Sequence, residues 1–196
     1  MKKFLTVYSL FLSVLLFSSE NESTSHVEKI VLGSGCFWGA EKGYEALDGV
    51  IDAVSGYADG EGVRPTYRDI TKFSNKFNPN NHAEVVEVTY NKNLITLEEL
   101  IIHYLESHDP TQLNRQGNDI GTQYRSGIYT FSEEDLVTAN KSKSLYQEKL
   151  NKSRFGIITT EIKRASKFYF AEEYHQQYLI KNPNGYCALK GTGIEM

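Results

Sequence analysis

The segment Val31–Gly39, VLGSGCFWG, sets the first strand-to-helix turn of the chain. The apolar residues 30–32 predict a buried strand, and residues 40–47 predict a helix with Tyr44 and Leu47 on one face. Cys36 then lies near the positive end of the helix dipole, which favours a thiolate, the form of cysteine that attacks electrophiles. The alternative is that Cys36 is a small buried apolar side chain behind a packed Trp38.

Strand and helix patterns alternate along the rest of the chain. Further strands are predicted at residues 51–57, 84–90, 126–131 and 157–162. Helices are predicted from Leu97, after a capping box at Thr96–Glu99, and over residues 133–152. Residues 64–81 predict a long polar surface loop, and residues 168–196 an aromatic, Gly-rich tail. The chain therefore predicts an α/β (α+β) two-layer sandwich, a ferredoxin-like mixed sheet with helices on one face and a long irregular C-terminal tail.

The first residues of the chain differ in composition from the remainder. Residues 1–25 combine a basic start, an apolar run from Phe4 to Phe17 and a polar patch. This layout predicts a signal peptide, or an uncleaved anchor, that directs the protein out of the cytoplasm to a periplasmic or other extracytoplasmic location. Residues 26–196 are then expected to form a single domain with no membrane segment apart from the leader.

Composition narrows the choice of partners. The 196 residues carry a formal net charge of -4, which gives no electrostatic reason to expect a nucleic acid. His82 and Glu84 resemble the first half of a zinc deaminase signature, but the required Cys-x-x-Cys is absent. We therefore expect a monomer with no metal site and no nucleic-acid partner.

Four further polar residues lie where predicted elements begin or end: Tyr57, Glu84, Asp119 and Tyr124. Taken singly, each is explained at least as well by a structural role, the acids as loop caps and the tyrosines as core edges. Their shared placement at element ends, where functional residues concentrate, favours a common site.

Five motifs together resemble the peptide methionine sulfoxide reductase A family. They are GCFWG at residues 35–39, SGYA at 55–58, HAEVV at 82–86, GTQYRS at 121–126, and a tail motif running from YHQQYL at 174–179 to NGYC at 184–187. The resemblance spans residues 28–187. Residues 1–27 and the tip of the 72–81 loop have no counterpart in the pattern, and Asp59 and Asn81 stand where glycine is usual.

The resemblance implies a peptide-methionine (S)-S-oxide reductase that acts on oxidised proteins or free methionine sulfoxide. Phe37 and Trp38 would hold the terminal methyl group of the substrate. A protonated Glu84, with the hydroxyls of Tyr57 and Tyr124, would hold the sulfoxide oxygen and supply a proton. The thiolate of Cys36 would attack the sulfoxide sulfur and be left as a sulfenic acid.

The resemblance also implies how the enzyme is recycled. Cys187, on the tail, would condense with the sulfenic acid to form a disulfide, which an external dithiol such as a thioredoxin-type protein would reduce, so that no cofactor is needed. Asp119 would orient the polar network, and His175 would support the tail. Two alternatives stay open, an exported non-catalytic module whose two cysteines form a structural disulfide and a thiol peroxidase.

Overall fold

A computed structural model describes residues 26–196, and the predicted leader at residues 1–25 lies outside the described residues. The elements follow in the order β1 (Val27–Ser34), α1 (Phe37–Glu45), β2 (Val50–Ala58), α2 (Tyr67–Ile70), β3 (Ala83–Asn91), α3 (Leu97–Ser107), β4 (Arg115–Gln116), β5 (Asp119–Ile120), β6 (Ser126–Thr130), α4 (Glu133–Lys152), β7 (Glu161–Arg164), β8 (Tyr169–Phe170) and α5 (Tyr178–Lys181). None of the helices in this part of the chain has the length and apolar character needed to cross a membrane.

Six strands form one mixed sheet in the order β7-β6-β1-β3-β2-β8. All neighbours are antiparallel except β6 and β7, which are parallel. The four central strands and the helices α1 and α3 follow one another as βαββαβ, which is the ferredoxin-like connection. The predicted fold class is therefore confirmed.

The helices cover one face of the sheet. Apolar side chains such as Leu32 and Val86 project from this face into the main core, where they meet Tyr44 of α1, Leu105 of α3 and Tyr146 of α4. The opposite face has a smaller cluster, which includes Val31, Val85 and Tyr129 and is covered by Phe168 from the tail side. The alternation of side chains along each strand separates the two clusters.

Several sequence-based boundaries differ from the structure, and the predicted irregular tail contains the short elements β8 and α5. Helix α1 begins at Phe37, directly after Cys36, rather than at residue 40. The strand predicted at 157–162 begins only at Glu161, because the amides of Ile158 and Thr159 donate instead to Gln147 and to the carbonyl of Pro110. The predicted 64–81 loop contains the short helix α2.

Strand register gathers the predicted polar residues at one end of the sheet. Ser34, the last residue of β1, is paired with Ser126, the first residue of β6. At the same end, Tyr57 near the end of β2 is paired with Glu84 near the start of β3. Cys36 follows β1 by two residues, and so it enters α1 beside this group.

Candidate active site

Cys36 occupies the N-cap position of α1. Gly35 precedes it with a φ of 102°, a left-handed conformation that strongly favours glycine. A Cβ atom at Gly35 would also lie 2.6 Å from Cβ of Gln116. The tight turn therefore needs glycine at this position, and it delivers the Cys36 sulfur to the start of the helix.

The surroundings of Cys36 favour the neutral thiol over the thiolate. Burial raises the pKa of the thiol, and the Glu84 carboxyl raises it further when it is ionised, whereas the nearby backbone N–H of Trp38 lowers it. The helix amide thus acts in the predicted direction, but desolvation outweighs it.

A small cavity of about 60 Å³ lies beside Cys36. Its lining comprises Cys36, Phe37, Trp38, Tyr67, Glu84, Asp119, Tyr124 and Tyr186. Six of these are residues that the sequence predicted for the site, and Tyr67 and Tyr186 are additions. The arrangement places a sulfur nucleophile, a carboxyl group, phenol hydroxyls and an apolar surface around one volume.

Glu84 is 2% exposed, and its Oε2 atom accepts a hydrogen bond of 3.2 Å from the backbone N–H of Phe37. Burial raises the pKa of this carboxyl to about 8; the Phe37 amide opposes the shift, and the charge of Asp119 adds to it. Glu84 therefore carries a proton at neutral pH. A buried carboxylic acid in this state can donate a proton to a bound oxygen.

Tyr57 does not line the cavity, which corrects its predicted role. Its hydroxyl donates a 2.6 Å hydrogen bond to Oε2 of Glu172, while Oε1 of Glu172 accepts the backbone N–H of Tyr67 at 2.9 Å. Although Tyr57 is paired with Glu84 across the sheet, this bond directs its hydroxyl to the α2 side. Tyr57 thus supports the backbone of Tyr67, and Tyr67 is the residue that enters the cavity.

Tyr67 and Tyr124 present their phenol groups to the same volume, and each phenol influences the pKa of the other. Burial raises the pKa of both phenols, so both hydroxyls keep their protons. Together they are able to donate hydrogen bonds to an oxygen atom held in the cavity.

Replacing Tyr67 and Tyr57 separately by phenylalanine distinguishes the cavity donor from the residue that supports it. Tyr67→Phe removes a donor from the cavity, and we expect kcat for sulfoxide reduction to fall on the order of 10²-fold. Tyr57→Phe removes only the bond to Glu172, so we expect kcat within roughly threefold of wild type and a loss of about 1 kcal/mol in the free energy of unfolding. Steady-state kinetics and urea denaturation of both variants provide the comparison. A larger kcat loss in Tyr57→Phe than in Tyr67→Phe would contradict the assignment.

The apolar side of the cavity is held from behind by the tail. Nε1 of Trp38 donates a 3.0 Å hydrogen bond to Nδ1 of His175, and the indole stacks on Tyr178 with ring centroids 3.8 Å apart. His175 also contacts the ring of Phe37 at 5.0 Å. Burial lowers the pKa of His175, which favours the neutral ring whose Nδ1 accepts the hydrogen bond from Trp38.

Cys187 lies against the first turn of α1. Its Sγ atom would be 2.4 Å from a Cβ atom placed on Gly39, so the absence of a side chain at Gly39 makes this approach possible. Both cysteines are free thiols, Cys36 buried and Cys187 exposed. Tyr186 reaches Oδ1 of Asp119 at 3.4 Å, which brings the tail residue before Cys187 to the edge of the cavity.

Arg125 joins the loops at this end of the sheet. Its guanidinium donates to the carbonyl oxygens of Asp59, Asn81 and Thr122 at 2.6, 2.9 and 3.0 Å, and to the carboxylate of Glu161 at 2.8 Å. The two residues that depart from the family pattern, Asp59 and Asn81, are therefore both held by one side chain.

Asn81 also holds the end of α2. Its Nδ2 donates to the carbonyl oxygens of Ile70 at 2.9 Å and Asn75 at 3.3 Å. A glycine at this position could not make these bonds. Asn81 thus links the segment after Tyr67 to the strand that carries Glu84.

Comparisons with known proteins agree with the geometry. The model of the family described as peptide methionine sulfoxide reductase matches residues 28–194. A Vibrio parahaemolyticus protein named peptide methionine sulfoxide reductase MsrA is 49% identical over 169 residues, covering 86% of this chain and 77% of the relative. No cluster of His, Cys, Asp and Glu among residues 26–196 could hold a metal ion.

Solved structures give the same likeness. Methionine sulfoxide reductase A of Corynebacterium diphtheriae is 41% identical with a TM-score of 0.76, covering 88% of this chain and 82% of that one. Mxr1 from Saccharomyces cerevisiae in complex with Trx2 is 30% identical with a TM-score of 0.56, covering 87% of this chain and 91% of that one.

Proposed function

The chain belongs to the peptide methionine sulfoxide reductase family, and from this premise we propose how its own residues reduce methionine sulfoxide. The relatives and solved structures support reduction of methionine sulfoxide with recycling by thioredoxin. They favour neither a thiol peroxidase nor a non-catalytic module. The observation that carries the residue assignments is the shared cavity, onto which both the Cys36 sulfur and the protonated Glu84 open.

In the first step, the Cys36 sulfur attacks the sulfur of the bound sulfoxide. Glu84 donates its proton to the sulfoxide oxygen as the S–O bond of the substrate weakens, which makes the oxygen easier to transfer. The oxygen finishes on Cys36 as a sulfenic acid, and the substrate sulfur recovers its electron pair as a thioether. Glu84 regains the proton that the Cys36 thiol loses, so the step consumes no net proton.

The remaining cavity residues position the substrate. Phe37 and Trp38 provide the apolar surface for the terminal methyl group, while the hydroxyls of Tyr67 and Tyr124 donate to the oxygen. Asp119, at the polar edge beside Tyr186, orients this network, and His175 holds the Trp38 ring in place.

The substrate is the S epimer of methionine sulfoxide, in proteins or as the free amino acid, as the family resemblance implies. Methyl and oxygen groups that must meet opposite sides of one cavity favour a single configuration at sulfur. An assay with the separated epimers of N-acetylmethionine sulfoxide and a dithiol reductant tests the proposal. Turnover of the S form with little or none of the R form is expected, and equal rates would contradict the assignment.

Recycling uses Cys187. Its sulfur packs against Gly39, which lies about one helical turn after Cys36 in α1. The Cys187 sulfur attacks the sulfenic sulfur of Cys36, water leaves, and a disulfide forms. A thioredoxin-type dithiol then reduces that disulfide by exchange. Since the sequence contains only these two cysteines, no third thiol relays the disulfide to the surface.

Cys187→Ser is expected to separate the two half-reactions. With a thioredoxin-type reductant, this variant should release one methionine per enzyme and then stall, because a sulfenic acid offers no disulfide for exchange. Rapid-quench counting of methionine against time gives the measurement. Multiple turnovers at the wild-type rate would show that Cys187 has no resolving role.

The protein acts outside the cytoplasm in this proposal, as the basic start and apolar run of residues 1–17 support. The same proposal takes the protein to act as a monomer. Repair of oxidised extracytoplasmic proteins then requires a thioredoxin-like reductant in the same compartment. N-terminal sequencing after cell fractionation tests the location, and a full-length protein confined to the cytosol would contradict it.

A further inference from the structure

The loop between α2 and β3 exposes two large aromatic side chains. Phe73 is 89% exposed and Phe77 is 70% exposed. Both lie in the part of the chain, residues 72–81, whose tip has no counterpart in the family motifs. Neither ring belongs to the apolar clusters on the two faces of the sheet. Packing in the core therefore does not explain why the loop carries two phenylalanines.

The loop that carries these rings is held firmly at its backbone. The carbonyl oxygen of Lys76 accepts the backbone N–H of Thr122 at 2.9 Å, and that of Asn75 accepts the Thr122 hydroxyl at 3.1 Å. Asn81 adds its bond to Ile70. Apolar rings projecting into solvent from an anchored loop form the kind of patch that marks a binding surface.

An open groove of about 550 Å³ runs beside this loop. Phe73, Lys76 and Ile120 line it, and Ile120 is a further exposed apolar side chain. Three residues of the sulfoxide cavity, Tyr67, Asp119 and Tyr124, also line the groove. The groove and the cavity therefore share a wall.

We propose that this groove, together with Phe77, whose ring centroid lies 5.6 Å from Nζ of the groove residue Lys76, binds the polypeptide segment next to the methionine sulfoxide of a protein substrate. The inference rests on the proposed function, because it takes the cavity to hold the sulfoxide side chain. The backbone of that residue must then lie at the mouth of the cavity. From there, the substrate chain on one side of the residue runs past Tyr67 and Tyr124 into the groove. Phe73, Phe77 and Ile120 receive apolar side chains of the extended segment.

The chemistry of the substrate explains why an apolar surface is useful there. Methionine belongs to the residues most often buried in proteins, and the strand or helix face that buries it carries further apolar side chains two to four residues away. Oxidation makes the methionine side chain polar and disrupts the core around it. An oxidised protein that has opened locally therefore presents methionine sulfoxide in an extended apolar segment, which is the occupant that the groove fits.

The test compares three substrates with the full-length enzyme: N-acetylmethionine S-sulfoxide, a hexapeptide with methionine S-sulfoxide between leucines, and the same peptide with serines. The variant is Phe73→Ser/Phe77→Ser. Leu94→Ser serves as the matched control, because Leu94 is also 70% exposed but lies beyond the far end of β3. We expect KM for the leucine peptide to rise roughly tenfold in the double variant, from the lost burial of the rings.

The other parameters distinguish this proposal from its rivals. The kcat values, the kinetics with N-acetylmethionine S-sulfoxide and all values for Leu94→Ser should remain unchanged, and the serine peptide should respond less than the leucine peptide. An unchanged KM for the leucine peptide would overturn the inference, as would equal losses with all three substrates. A raised KM for the thioredoxin-type reductant in place of the peptide would assign the rings to reductant docking. Failure of the wild type to reduce N-acetylmethionine S-sulfoxide would instead refute the proposed function.

Discussion

Cys36→Ser is expected to lower kcat/KM for methionine S-sulfoxide by a factor of at least about 10⁴, the scale of loss when a nucleophile is removed. The serine hydroxyl is a far weaker nucleophile, and it cannot become a sulfenic acid. The Trp38 amide favours a negative charge at this position, but it cannot make a serine hydroxyl as nucleophilic as a cysteine sulfur. The measurement is the rate of methionine release, which is determined by chromatography.

The substitution changes little else. Cys36 is buried and makes no side-chain cap for α1, so serine fits the same space and the helix keeps its start. An unchanged thermal unfolding curve would document this. Cys187→Ser is the matched control, because it should retain the first turnover. A Cys36→Ser rate within tenfold of wild type would mean that another group attacks the sulfoxide.

Glu84→Gln is expected to lower kcat by about 10³-fold, within the range for loss of a positioned general acid. Glutamine keeps the shape of the side chain and can still accept the Phe37 N–H, but it has no acidic proton to give to the oxygen. The effect should fall on kcat more than on KM, because the proton is needed as the S–O bond breaks.

The pH profile gives an independent reading of the same residue. Burial raises the pKa of Glu84 to about 8, so the acid form is present below pH 8 and is lost as the pH rises through that value. Wild-type kcat/KM should therefore fall above about pH 8, a limb that reports a pKa of the free enzyme. Glu84→Gln should lack this limb. A wild-type profile that stays flat to pH 10 would contradict the assignment.

Folding stability provides the control for this variant. Between the ordinary pKa of 4.5 and the raised value of about 8, the folded carboxyl binds a proton that the unfolded carboxyl does not. Wild-type stability therefore falls as the pH rises through this range, and Glu84→Gln, which cannot ionise, escapes that loss. The variant should be at least as stable as wild type at pH 8, so its low activity cannot be attributed to unfolding.

Several elements of the fold could be predicted from local pattern. The alternation in β3 and the capping box at Thr96–Glu99 are strong local signals, and both elements occur where they were expected. Strand β7 begins later than the local pattern predicts, because its pairing depends on a parallel neighbour, β6, that is distant in sequence. Periodicity in a short apolar segment carries no information about that partner.

The structure brings six of the predicted site residues to one cavity but leaves Tyr57 outside its lining. The sequence favours Tyr57 because it lies at the end of a predicted strand. Tyr67 lies in a segment that the sequence predicts as a polar loop, so its position does not indicate a site residue. A signal was present, because Thr66 and Asp69 form a capping box of the same kind as Thr96 and Glu99. The direction in which Tyr57 points depends on Glu172, more than one hundred residues away, and no local pattern reveals that contact.

Trapping the oxidised sulfur tests the central claim most directly. The Cys187→Ser variant is mixed with excess methionine S-sulfoxide in the absence of a reductant, quenched with dimedone, and examined by peptide mass spectrometry. The mechanism predicts one methionine released per enzyme and a dimedone adduct on Cys36. Methionine release without modification of Cys36, or an adduct on Cys36 without methionine release, would contradict oxygen transfer from the substrate to this sulfur.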